Sequence, residues 1–360
     1  MTTSLITEDK QTIAQVEDLA AKMLKRGGIR AKRLERGGNS RVFLLGASGE
    51  TLRHIMKFYF HNPVDPRDRL ETEFASFSFL WGQGITNVPR PVAINRNESC
   101  AIYEFIEGEK FLPADITMEN IKYAVNFLAH LKGLNNTARS FPIAFASDAC
   151  FSIEAIIACI EGRLTRLSMI KDKGQEYEEM ESFLCKDFKP FLDILTLWAK
   201  GRCAKEHISF DSEISWEERT LSPSDFGFHN AICERNGRIV FLDFEYFGWD
   251  DPAKTITDFL LHPAMSLSEP MKRAFMTWIL DVFVENKQLA QRVQIVYPLL
   301  ALKWCMIILN EFVPGDFSRR VYAAGTPLDK GQVRKKQLLK AKDLFNKTQE
   351  NYENFQYAIR

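Results

Sequence analysis

The stretch Leu221–Pro263, LSPSDFGFHNAICERNGRIVFLDFEYFGWDDPAKTITDFLLHP, crowds Asp225, His229, Asn230, Asp243, Glu245, Asp250, Asp251 and Asp258 around two apolar runs. Those runs, Ala231–Cys233 and Ile239–Leu242, flank Asn236-Gly237, a dipeptide suited to a two-residue hairpin because both turn positions need positive φ. A hairpin turning on that pair sets Asn230 opposite Asp243, about 5 Å apart at the backbone. An amide facing a carboxylate suits a hard cation that takes oxygen ligands. Asp225, in the loop feeding the first strand, is placed to look into the same space. The plain alternative is an acidic surface hairpin. Asp, Asn and Asp at these offsets, two of them joined by one turn, form a more specific pattern than that.

Upstream, Thr12–Lys25 has apolar residues at Ile13, Val16, Leu19, Ala20 and Met23, a helical spacing that Gly27-Gly28 ends. Three strand-like runs follow: Ile29–Glu35, Arg41–Leu45 and Leu52–Phe60. The first turn between them is Gly37-Gly38-Asn39-Ser40. Glycines there let backbone N–H groups approach phosphate oxygens, although an ordinary hairpin turn would use them too. Lys57 lies inside Ile55-Met56-Lys57-Phe58-Tyr59-Phe60. A charge in such a run needs a partner if it is buried; the alternative is an edge-strand lysine facing solvent. A helix is expected from Asp65-Pro66, an N-cap followed by proline, with Leu70, Phe74, Phe77 and Trp81 as its apolar stripe. Glu73 borders that stripe and is the better partner for Lys57; Glu71 is the reserve. Val88–Val92 leads into a fourth strand and Ala101–Ile106 reads as a fifth.

Beyond Gly108 the spacing is helical nearly throughout: Thr117–Leu131, Ser152–Met169, Glu176–Lys200, Met271–Val284, Gln288–Phe312 and a terminal Gln332–Tyr357. Within these, Lys303 reads as an exposed edge, Trp304 and Phe312 as core, and Arg334-Lys335-Lys336 as a solvated face. With 47 basic and 47 acidic residues the net charge is zero, which gives no case for nucleic acid or an anionic membrane as partner. The seven cysteines are scattered without a CxxC pair, which points to a reducing, cytoplasmic setting rather than a disulfide or zinc framework. Glu8, Asp9, Lys10 and Glu17 make the first residues unlike a secretory signal. No apolar run approaches the length expected of a membrane span.

The order of these motifs resembles the aminoglycoside phosphotransferase and choline kinase family, small-molecule kinases with a protein-kinase-like fold. That family carries a loop like HGDxHxxN, then a hairpin, an [IL]DxE segment and GDPxxD. Here Ser224-Asp225 and Asn230 match the Asp and the Asn five residues later, Leu242–Glu245 matches the metal segment, and Asp251-Pro252 with Asp258 resembles the last part. Pro223-Ser224 stands for the usual His-Gly and Gly227-Phe228-His229 for the usual His-Pro-Gly. The resemblance spans roughly residues 28 to 263. It implies an α+β, bilobal protein-kinase-like fold: a small five-stranded N-lobe over residues 1–106 and a larger, mainly helical C-lobe over residues 107–360. It implies transfer of the γ-phosphoryl group of ATP, or of GTP, to a small-molecule hydroxyl with Mg2+.

The same resemblance assigns roles. Gly38, Asn39 and Ser40 belong to the nucleotide loop. Lys57 holds α/β phosphates and Glu73 holds Lys57. Glu104 and Ile106 belong to the hinge that borders adenine. Asn230 and Asp243 bind magnesium, and Asp225 orients the acceptor hydroxyl and accepts its proton. Glu245 adjusts the metal shell, while Asp251 and Asp258 fix loop geometry through backbone hydrogen bonds. The chain passes from Asp243 directly to Asp251-Pro252, leaving no room for a protein kinase's activation segment. A pseudokinase that regulates a protein partner is the other reading; the substituted residues before Asp225 motivate it, and retention of Lys57, Asp225, Asn230 and Asp243 opposes it. The acceptor stays open between two sets. Glu217, Glu218, Glu245, Asp250 and Glu311 would suit an amine, and Lys303, Arg319 and Arg320 a phosphorylated sugar.

Overall fold

Period-two alternation in the N-terminal third makes a sheet with two unlike faces. The computed structural model describes residues 12–34, 40–47, 53–60, 67–324, 328–355 and 357. In it β1 (Ile29–Leu34), β2 (Ser40–Ala47), β3 (His54–Tyr59), β4 (Pro91–Asn95) and β5 (Cys100–Glu104) form one antiparallel sheet of order β1-β2-β3-β5-β4. Phe43, Leu45, Met56, Phe58 and Ile102 bury one face against Val16 and Ala20 of α1 (Ile13–Leu24). Tyr59, Ala101 and Tyr103 join the other core, with Leu70 and Phe77 of α2 (Arg69–Gly82) and the helices beyond. Lys57 falls between Met56 and Phe58, so alternation aims it at that second face. Because β3 lies between β2 and β5, an edge-strand lysine is excluded. Thr12 caps α1 with a reciprocal Gln15 bond. The expected helix start at Asp65-Pro66 lies outside the described residues; α2 begins at Arg69, where the Asp68 carboxylate accepts the Glu71 N–H at 2.9 Å.

After β6 (Gly108–Lys110) come α3 (Met118–Gly133), α4 (Asn135–Ala138), α5 (Ile153–Ser168), α6 (Gln175–Phe183) and α7 (Lys189–Glu206). The single helix expected over Glu176–Lys200 is interrupted by a π-helical turn at Leu184–Phe188. Pro190, just inside α7, lacks the N–H that a continuous α-helix would use there. Next come β7 (Thr220–Ser222), β8 (Ala231–Glu234), β9 (Ile239–Phe241) and β10 (Gly248–Asp250), then α8 (Pro252–Leu261), α9 (Glu269–Val282), α10 (Leu289–Ile308), α11 (Pro314–Ala324) and α12 (Lys330–Asn351). β6, β8 and β9 form a small sheet, and β10 pairs with β7.

α10 is the centre of the larger lobe, with Val293, Val296, Leu299, Leu300, Leu302 and Met306 fully buried. With the turn that follows, Leu289–Phe312 is the one helical stretch among the described residues long and apolar enough to cross a membrane, a length the sequence reading does not anticipate. Its most apolar window is 72% buried against other helices. Arg334 also departs from expectation. It is 1% exposed, not solvated, and donates to the Phe312 carbonyl and the Asp172 carboxylate. α11 reaches back to the small lobe: Tyr322 packs on Phe60 and under the Arg41 guanidinium, and Arg33 donates to the Ala323 carbonyl.

Candidate active site

The hairpin after Asp225 is one residue out of the expected register. The ladder pairs Ala231 with Phe241, Ile232 with Val240 and Cys233 with Ile239. Glu234 N–H donates to the Arg238 carbonyl, which closes a three-residue turn, Arg235-Asn236-Gly237, with Gly237 at φ 84°. This is the turn in which the last residue takes the left-handed position that glycine favours. Asn230 therefore lies opposite Leu242, whose N–H bonds the Asn230 carbonyl at 2.8 Å. Asp243 sits past the pairing in a left-handed conformation, φ 65°, which an aspartate tolerates better than most residues. The expected face-to-face Asn230–Asp243 pair is thus corrected.

Asp243 meets Lys57 instead. The Lys57 ammonium lies 2.5 Å from Asp243 Oδ1, 2.6 Å from Glu73 Oε2 and 3.6 Å from Glu245 Oε2. Glu73 is 2% exposed and bonded on both oxygens: Oε2 also accepts the Tyr59 hydroxyl, and Oε1 accepts the Phe244 N–H at 3.2 Å. One carboxylate thereby fixes both the lysine and the segment that carries Asp243. Burial pushes the Glu73 carboxyl up to about 7 although Lys57 draws it down. Burial lowers the Lys57 ammonium, but Asp243, Glu73 and Glu245 outweigh it and hold that group well above its ordinary value. Glu71 faces away and pairs with Arg96 at the surface. Arg69 reaches Glu245 at 3.7 Å. Lys57 and Arg69 thus serve three carboxylates, Glu73, Asp243 and Glu245.

Asp225 is organised by two histidines. His229 Nε2 and His262 Nε2 each lie 3.1 Å from Asp225 Oδ1, and the two imidazoles stack at 3.6 Å. Asn230 Nδ2 donates to the Asp225 carbonyl and to Oδ2, at 3.1 and 3.3 Å. Burial would raise the Asp225 carboxyl, yet the bonds from His229 and His262 hold it well below the usual carboxylate range. Gly227 allows the loop to close, since a Cβ there would lie 2.3 Å from the Met265 sulfur. Ser224, at the substituted position, takes φ 67° and bonds the Ser147 carbonyl through its hydroxyl. Asp225 opens onto a cleft of about 1040 Å³ shared with Asp148, Arg163, Asp258, Lys303 and Arg319.

Gly38 and Asn39 lie outside the described residues. Ser40 opens β2, 4% exposed, and its hydroxyl has no hydrogen-bond partner among the described residues. Glu104 ends β5, its N–H held by the Arg90 carbonyl, and Ile106 is buried where the chain leaves the sheet. Asp251 caps α8 by accepting the Ala253 N–H and binds Arg292 at 2.6 Å. Asp258 differs from expectation: it is held by side chains, Trp304 Nε1 and Lys254, and borders the cleft. Lys303 is 3% exposed rather than an exposed edge. Of the two acceptor sets, Lys303 and Arg319 border the cleft; Glu217, Glu218, Glu245, Asp250, Glu311 and Arg320 do not. Sequence reasoning missed His262, Asp148 and Arg163. His262 lies within the Leu221–Pro263 stretch, yet nothing local links it to Asp225.

Both oxygens of Asp243 and the amide oxygen of Asn230 are the donor types that magnesium takes while keeping several waters. The Asn230 amide points its nitrogen at Asp225, which leaves its oxygen for such an ion. These residues fit the cation.

Comparison with known proteins bears on the fold and the family. No curated protein sequence matches the chain. Its fold matches a choline kinase from Cryptosporidium parvum Iowa II with a TM-score of 0.61 at 14% identity, covering 94% of this chain and 97% of that one. A spectinomycin phosphotransferase solved with ADP and spectinomycin matches with a TM-score of 0.60 at 10% identity, over 91% and 99% of the two chains. An ethanolamine kinase from Plasmodium vivax matches with a TM-score of 0.56 at 14% identity, over 95% and 86%. The fold is thus the bilobal, protein-kinase-like α+β fold. A sequence profile described as the phosphotransferase enzyme family matches residues 30–269, and the chain belongs to that family.

Proposed function

We propose that this protein transfers the γ-phosphoryl group of ATP to a hydroxyl of a small molecule. One observation carries the reading: a continuous bonded path from Lys57 through Asp243 and the Leu242–Asn230 backbone bond to Asp225. It joins a phosphate-holding cation to a group that can position an alcohol. In the reaction an O–P bond forms between the acceptor oxygen and the γ phosphorus. The bond from that phosphorus to the β–γ bridging oxygen breaks, ADP leaves with the electron pair, and the hydroxyl proton passes to Asp225. Such transfer needs alignment and charge neutralisation more than covalent help. Lys57, steadied by Glu73, holds α/β phosphates once Asp243 releases it. Asn230 and Asp243 hold Mg2+, which neutralises phosphate charge when bound. Gly38, Asn39 and Ser40 cover the phosphates, and Glu104 and Ile106 border the base at a lobe boundary we place between residues 106 and 107.

ADP in the spectinomycin phosphotransferase supports an adenine nucleotide; GTP would use the same phosphate contacts. Seven free thiols support a reducing, cytoplasmic setting. The deciding experiment is a screen of hydroxyl metabolites with γ-labelled ATP. Label is expected in a small-molecule product, and more slowly by about a hundredfold or more in Asp225→Asn. Normal Mg-ATP binding with no labelled metabolite, together with recovery of a protein partner, would replace this reading with the pseudokinase.

A further inference from the structure

Lys303 is 3% exposed on α10 and borders the same cleft as Asp225. Among the described residues its ammonium makes no hydrogen bond and no ion pair. Asp148 and Asp250 feel its charge without coming within ion-pair distance, so its N–H donors remain for a partner that arrives from the cleft. The surrounding carboxylates are otherwise engaged. Asp148 is bound to Arg163, Asp316 to Arg166 and Arg319, and Asp258 to Lys254 and Trp304. Asp225 is occupied by the two histidines. Every carboxylate on the cleft already has a cation or donor, and the charge left over is positive.

The arrangement also opposes a cationic ligand. Trp304 borders the cleft and would be the natural platform for a quaternary ammonium. Its ring meets the His262 ring edge-on and its N–H is taken by Asp258. Lys303 directly precedes it on the same helix, and Arg67, Arg163, Arg166 and Arg319 line the cleft with it against Asp148, Asp225, Asp258 and Asp316, a surplus of cations that opposes an amine. We infer that the acceptor carries an anionic group, phosphate or carboxylate, which docks on Lys303 beside Arg163 and Arg319 while its hydroxyl faces Asp225. This acceptor class rests on the phosphotransfer reading above; the anion site itself does not.

The test separates the two. Thermal unfolding is followed with inorganic phosphate as the anionic probe and choline as the cationic one, in wild type, Lys303→Met, Lys303→Arg and Lys57→Met. The methionine removes an unpaired buried charge at similar length, so folding should survive. Phosphate should raise the melting temperature of wild type and Lys57→Met alike, fail to do so in Lys303→Met, and recover part of its effect in Lys303→Arg. A phosphate shift that persists in Lys303→Met, or no shift in wild type, or stabilisation by choline instead, overturns the site. Turnover with γ-labelled ATP then compares phosphorylated sugars and hydroxy carboxylates, as separate arms, with their neutral and amine counterparts. An anionic acceptor should be favoured in kcat/KM by about tenfold or more, and Lys303→Met should raise its KM by a similar factor with kcat little changed. Preference for a neutral or amine acceptor overturns the acceptor class. Phosphate bound at Lys303 with no acceptor of any charge labelled overturns the phosphotransfer reading and leaves the anion site standing.

Discussion

Asp225 is a weak base by construction, since two imidazoles and an amide bond its carboxylate. In the phosphotransfer we propose, its main contribution would therefore be to orient the acceptor hydroxyl, whose proton becomes more acidic as the O–P bond forms. Asp225→Asn keeps size and some hydrogen bonding but loses the charge, so it should slow transfer while Mg-ATP affinity stays nearly unchanged. A cognate acceptor phosphorylated at the wild-type rate by that variant would remove Asp225 from the mechanism. His262 adds a pH dependence. Burial lowers its pKa below 6.5, against the opposing pull of Asp225. The folded state thus binds fewer protons there than the unfolded chain. The stability it contributes is present above about pH 6.5 and is lost as pH falls through the lowered value. His262→Asn should flatten the fall in melting temperature between about pH 7 and 5; an unchanged slope would show that the imidazole titrates normally. Asp225 and Asn230 could be singled out because their types and spacing sit in one loop, whereas His229 was given no role there. His262 could not be singled out, because only the return of α8 stacks it on His229.

At the level of elements, the strands and most helices could be read from alternation and caps: Thr117 and Ser152 each accept the N–H three residues on, as helix-starting residues do. The hairpin register could not. Asn-Gly fits both a two-residue turn and the end of a three-residue turn, and the choice moves every partner by one position. Tertiary contacts to Glu73 then decide where Asp243 points. The buried ion pairs around α8 were equally hidden. Arg292, 5% exposed, donates to Asp251 Oδ2 at 2.7 Å and to the Phe151 carbonyl at 3.1 Å, tying the start of α8 to α10 and the segment before α5. Arg292→Met would leave the Asp251 carboxylate buried with only the Ala253 N–H, which costs about 3–5 kcal/mol. Urea unfolding should show that loss. A change below about 1 kcal/mol would mean the carboxylate is relieved by water or protonation.

For the molecule as a whole, the two lobes were legible because the chain switches from a period of two to a helical period near Gly108. The cleft was not, since Asp148, Arg163, Lys303 and Arg319 come from segments far apart in sequence. Among the bonds that join the lobes is the one from Lys57 on the sheet to Asp243 beyond the hairpin, where we propose the nucleotide phosphates bind. That bond pairs the two charges. Nucleotide phosphates must draw Lys57 away from it, which would strand Asp243 unless a cation takes the lysine's place. ATP and magnesium should therefore stabilise the protein together and each only weakly alone. At about a hundred times Kd the joint effect is about 2.7 kcal/mol. Asp243→Asn isolates the charge, because asparagine also tolerates the left-handed φ of 65°. It leaves Lys57 paired with Glu73, so the variant should fold, bind ATP with little help from magnesium, and lose turnover. Thermal shifts with ATP that are the same with and without magnesium, in wild type and in Asp243→Asn alike, would show that Asp243 serves Lys57 as a structural counter-ion and does not hold the metal.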